Sequence, residues 1–122
     1  TVLFNLLETI RVIAVLISPV MPETAKKIAE LVKEAKTYCE DVEFSALDAT
    51  RASVDFLISA VTKAVENGAT LVTICDNAGV STPEEVASIV EQVKKAVTVP
   101  VYVQVSNRIS MAVASAFSSI AL

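Results

Sequence analysis

Val99-Pro100-Val101-Tyr102-Val103-Gln104-Val105-Ser106 alternates cleanly, with Val101, Val103 and Val105 on one side and Tyr102, Gln104 and Ser106 on the other. A period of two is that of an extended strand, here with one apolar face and one mixed polar face. Two upstream stretches divide the same way. Val42–Asp48 sets Val42, Phe44 and Ala46 against Glu43, Ser45 and Leu47, and Leu71–Asp76 sets Val72 and Ile74 against Thr73 and Cys75. A strand covered by helices on both faces reads as a nearly continuous apolar run. These strands do not, so helices cover one face and the polar face looks into something wet or ligand-filled.

Between the strands the apolar spacing changes to that of a helix. Ser53 is placed to cap a helix carrying Phe56, Leu57, Ala60, Val61, Ala64 and Val65, and Asn67-Gly68 ends it. Thr82-Pro83-Glu84-Glu85 is a capping box with Pro at the first helical position, opening a helix with Val86, Ile89, Val90 and Val93 inward. Ser110 is expected to cap a last helix containing Met111, Val113, Ala114, Phe117 and Ile120. Equivalent strand positions recur at about 28 to 30 residues, one β/α unit per repeat, and right-handed crossovers make the sheet parallel.

Upstream, Val2–Ile17 is apolar around nearly the whole circumference of a helix, which demands burial by the fold or by another chain. Ser18-Pro19 and Met21-Pro22 break it, and Pro22 opens a second helix running to about Tyr38, with Ile28, Leu31, Val32 and Ala35 on one face. The expected architecture is α/β: two helices over residues 1–38, then a three-stranded parallel, half-barrel-like β/α unit over 42–122, all in one domain.

With 122 residues the chain is too short for an eight-stranded β/α barrel of about 250. Its formal charge of −4 and the lack of a basic run argue against a nucleic-acid partner. There is no His, which removes imidazole acid/base catalysis, Ser-His-Asp and Cys-His nucleophiles and imidazole metal ligands. Cys39 and Cys75 read as reduced, buried thiols. Val12–Ile17 falls short of the roughly 20 apolar residues of a membrane span and lacks a signal peptide's flanks. A cytoplasmic protein with no membrane partner is expected. Thr1 stands where a Met would be, and the chain stops within the apolar stretch Phe117–Leu122, as at a trimmed or engineered boundary.

The residues Val42-Glu43-Phe44-Ser45-Ala46-Leu47-Asp48-Ala49-Thr50-Arg51, followed by Asn67-Gly68-Ala69-Thr70, Cys75-Asp76-Asn77-Ala78-Gly79 and Thr82-Pro83-Glu84-Glu85, resemble the middle of the barrel of the isopropylmalate and homocitrate synthase family. The resemblance covers about residues 29–122, or strands four to six of that family's eight. It implies condensation of an acyl-CoA with a 2-oxo acid at a divalent metal held at the barrel mouth. Separately, Asn5–Ala25 resembles a helix of the anticodon-binding domain of methionyl-tRNA synthetases, so that residues 1–28 and 29–122 together look like a chimera.

Tested residue by residue, the resemblance loses its metal. Where the family has His-x-His-Asn, this chain has Gln104-Val105-Ser106-Asn107, with Arg108 following; the acidic residue of the family's Ser-Ala-Glu-Asp motif is Leu47 here, and its Thr after the strand-five Asp is Asn77. Neutral Gln and Ser are poor replacements for imidazole ligands, so no metal, cofactor or catalytic residue is expected. Glu43, Ser45, Asp48, Arg51, Asp76, Asn77, Gln104, Ser106 and Asn107 are candidate substrate-binding residues, Arg51 as an anion clamp. The same groups also read as loop-bonded carboxylates with Arg51 as their ion-pair partner. The expected function is a non-catalytic structural or self-assembling module, a homo-oligomer and most simply a dimer. The alternatives are an acyl-CoA-condensing enzyme fragment completed by a partner, and a small-molecule binding module.

Overall fold

In the computed structural model, which describes residues 24–120, the order is α1 (Thr24–Lys36), β1 (Glu43–Ala46), a 3-10 turn (Ala49–Arg51), α2 (Val54–Glu66), β2 (Leu71–Asp76), α3 (Pro83–Ala96), β3 (Val101–Val105) and α4 (Ala112–Ile120). The helix expected over 2–17 and the start of the second at Pro22 lie outside the described residues. The sheet order is β1-β2-β3, all parallel, with Phe44 opposite Val72, Val72 opposite Val101 and Ile74 opposite Val103. The α/β, partial-barrel reading therefore holds.

Alternation settles the faces. Phe44, Ala46, Val72 and Ile74 are buried beneath Leu57, Val61 and Ala64 of α2 and Val86, Val90 and Val93 of α3. Each fully buried Val or Ile contributes about 1.5–3 kcal/mol relative to exposure. Ile28 and Val32 seat α1 on the same core, and the helices lie in a row, α1 against α2, α2 against α3, α3 against α4. The opposite face carries Glu43, Ser45, Thr73, Cys75, Tyr102 and Gln104.

Several boundaries differ from expectation for local reasons. β1 stops at Ala46 because Asp48 adopts a left-handed backbone (φ 58°, ψ 31°) that turns the chain into the 3-10 segment. α1 ends at Lys36; beyond it Thr37 and Tyr38 bond back only to Glu34 and Ala35, three residues earlier. Ser53 stands at the cap position of α2 but its side chain makes no capping bond. Gly68 (φ 110°) ends α2 as foreseen: its N–H donates to the Val65 carbonyl and that of Ala69 to Ala64, closing two of the orphan carbonyls at the helix end. The capping box of α3 is complete, Glu85 N–H donating to Thr82 Oγ1 and Thr82 N–H to Glu85 Oε2.

Ser110 does not cap α4. It sits at φ 61°, two residues before the helix, and Asn107 Oδ1 instead accepts the Ala112 N–H at 3.2 Å. The Arg108–Ile109 turn brings Asn107 back over the first helical N–H, a placement that the spacing of Ser110 alone could not reveal.

Candidate functional site at the strand ends

The candidate residues separate into three groups. On the polar face, Glu43 Oε1 accepts from Ser45 Oγ at 2.8 Å and from Thr73 Oγ1 at 2.7 Å. Parallel register makes this possible, since Ser45 lies opposite Thr73 and Glu43 one pleat below Ser45. Gln104 shares that face opposite Cys75 but is exposed, beside Tyr102 at 58% exposure. Thr73 is the member not singled out from sequence; its place in the alternation was the signal for it.

At the rim, Asn77 Oδ1 accepts the Asp48 N–H at 2.7 Å, tying the end of β1 to the loop after β2. Arg51 donates through Nε and Nη2 to Asp48 Oδ2. That bond, and then the Coulomb attraction of the carboxylate, raise the guanidinium pKa above its ordinary value. Arg51 is thus an ion-pair partner on an exposed turn. Beside the β1 edge, Phe44, Ala46, Leu47, Phe56, Leu57 and Ala60 line a cavity of about 280 Å³ with Asp48 and Arg51 on its border.

The third group is turned the other way. Asp76 shares the parity of Val72 and Ile74, so it faces the helices and is 1% exposed. Its Oδ1 accepts from Thr50 Oγ1 at 2.9 Å and from the Gly79 N–H at 3.0 Å. Gly79 (φ 63°) in turn crosses the end of β3 so closely that a Cβ there would lie 2.8 Å from Ser106 Cβ and from Ser106 O. Ser106 continues the ladder, its N–H donating to the Asp76 carbonyl at 3.1 Å. Asn107 is occupied at the start of α4.

A model of the HMGL-like family matches residues 9–121, nearly the whole sequence. The chain belongs to the HMGL-like family. The match begins at residue 9, so it runs through most of Asn5–Ala25. Among its relatives, the 2-isopropylmalate synthase of Pyrococcus abyssi is 38% identical over 104 residues, covering 81% of this chain and 21% of that protein. That of Pyrococcus furiosus is 36% identical over 104 residues with the same coverage. That of Acetivibrio thermocellus is 35% identical over 101 residues, covering 76% of this chain and 20% of the relative. The chain therefore spans about a fifth of the length of these HMGL-like relatives.

A divalent metal at this mouth needs oxygen or nitrogen donors converging on one point. Among its described residues the HMGL-like chain does not offer them. Asp76 faces the helical side and spends one oxygen on Thr50 and Gly79, Gln104 is neutral and exposed, Ser106 lies beneath Gly79, and Leu47 has no donor. The residues present do not fit the metal that the family resemblance implies.

Proposed function

We propose that this segment of an isopropylmalate synthase-type barrel is non-catalytic and serves architecture, holding a three-strand arc of parallel sheet for other parts of a barrel to complete. The observation that carries this reading is the orientation of Asp76. The best-buried carboxylate at the strand ends, which a metal site would turn into the mouth, instead latches the 3-10 turn to the β2–α3 loop. Three further polar groups are used in the same way, Asn77 on the Asp48 backbone, Arg51 on Asp48 and Asn107 on α4, while Asp48 Oδ1 and Asp76 Oδ2 are buried without a hydrogen-bond partner. Hydrogen bonds so committed stabilise loops, and a ligand would have to break them to bind. Calorimetric titration with magnesium, manganese and zinc ions and with acetyl-CoA is expected to give no saturable heat below about 1 mM, a free energy near −4 kcal/mol. Micromolar binding of any of them overturns the proposal.

A further inference from the structure

We propose that Asn67-Gly68 is a self-modification site held closed by the end of α2. When that end opens, the Gly68 main-chain nitrogen attacks the Asn67 side chain, and the isoaspartate that results keeps the α2–β2 junction from closing again. Of the four Asn in the chain only Asn67 is followed by Gly; Asn5, Asn77 and Asn107 precede Leu, Ala and Arg. Without a Cβ, Gly68 leaves its nitrogen unhindered and free to adopt the backbone that ring closure needs. The reaction needs only water and base. The Gly68 nitrogen loses its proton to a solvent base and bonds to Asn67 Cγ, the bond from Cγ to Nδ2 breaks, and ammonia leaves with a proton from solvent. The product is a five-membered succinimide. Water then opens it, at Cγ to give aspartate or at the main-chain carbonyl to give isoaspartate, whose chain runs through Cβ and Cγ and is one carbon longer.

The fold blocks the first step in three ways. Asn67 has ψ 8°, so the Gly68 nitrogen nearly eclipses Asn67's own nitrogen, whereas ring closure requires it to eclipse Cβ. The Gly68 N–H is held by the Val65 carbonyl at 3.0 Å. Asn67 Nδ2 donates to the Lys63 carbonyl at 2.7 Å, which draws Cγ back along the helix and away from Gly68. These restraints stand or fall together, because Gly68 at φ 110° and the Ala69 N–H on the Ala64 carbonyl at 3.0 Å complete the same cap. Asn67 and Gly68 are only half-buried, and helix ends are among the first parts of a fold to open. The junction they hold reaches further: the Thr70 N–H donates to the Val42 carbonyl at 2.8 Å and the Val42 N–H to Thr70 Oγ1 at 3.1 Å, with Ala69 buried between. A chain one carbon longer at residue 67 misaligns the Ala69–Ala64 bond with this pair. The new carboxylate also lies at the carbonyl end of α2, where the helix dipole disfavours negative charge.

The test incubates the chain in mildly alkaline buffer, folded and in denaturing guanidinium chloride. Peptide mass mapping follows Asn67, and an isoaspartyl methyltransferase with a labelled methyl donor reads the isoaspartate. Asn67 is expected to convert in the denatured chain and at least tenfold more slowly in the folded one, with Asn77 and Asn107 unchanged over the same time. The ratio of the two rates should match, within about threefold, the open fraction of the cap measured by amide exchange at Gly68 and Ala69. Asn67→Gln, which would need a six-membered ring, should abolish the conversion. The isolated isoaspartyl form should then exchange at least tenfold faster at Ala69 and Thr70. Equal rates in the folded and denatured chain, no conversion of Asn67 on denaturation, the same product from the Asn67→Gln variant, or unchanged exchange at Ala69 after conversion overturns the proposal.

Discussion

In the β2–α3 unit Val72, Ile74, Val86, Val90 and Val93 are all at or below 3% exposure, whereas in the β3–α4 unit Val113, Phe117 and Ile120 are all at or above 76%. Both units have an alternating strand and a helix with apolar residues at helical spacing, so pattern does not separate them. Neighbours do. The β2–α3 unit lies between β1 and β3 and between α2 and α4, while the β3–α4 unit has a described neighbour on one side only. An apolar pattern states which face can be buried; burial itself needs a second surface.

Four substitutions test how deep this contrast runs. The sharpest is the pair Val90→Asp and Val113→Asp. At Val90 an unpaired carboxylate enters the core, and a loss of about 4 kcal/mol or more is expected, enough to abolish cooperative urea unfolding in a marginally stable domain. At Val113 the same change lies on an exposed face in the first turn of α4, and the expected change is within about 0.5 kcal/mol. Equal effects would break the comparison. Next is Gly79→Ala, which acts where the two units meet. A left-handed backbone and a Cβ at 2.8 Å from Ser106 together should cost about 2–4 kcal/mol in denaturant titration, with faster amide exchange at Ser106 and along β3. If only the β2–α3 loop loosens and β3 does not, the close approach is not what joins the units. The smallest is Thr82→Ala, which removes one half of the capping box and should cost about 1 kcal/mol, with no effect on exchange in α4.

Much of this was legible in the residues. The division of each strand into two faces, the stop at Gly68 and the start at Thr82 all follow from chemistry within a few positions. Asp76 is instructive because its parity with Val72 and Ile74 already places it on the helical face, while its charge and its place at a strand end are those of a ligand-binding residue. What covers that carboxylate was not legible: Thr50 lies 26 residues upstream and is brought there by the left-handed turn at Asp48. The Ser110 cap failed for a similar reason, because a serine near a helix start is a frequent cap, but here the 107–110 turn offers Asn107 to the same orphan N–H.

Taken alone, the 122 residues determined the number and order of the β/α units, the face each strand turns to the core, and the lack of any imidazole in this sequence. These depend on side-chain identity and on periods of two and 3.6, which are properties of a few consecutive residues. Tertiary structure alone decided that the polar residues divide into an inner network, a rim pair and a buried latch, and that Gly79 closes over Ser106. The contacts that tie these groups across units, Glu43 to Thr73, Asp48 to Asn77, Thr50 to Asp76 and Gly79 to Ser106, join positions about 25 to 30 residues apart, set by strand register and crossover geometry, which no local stretch of chain contains.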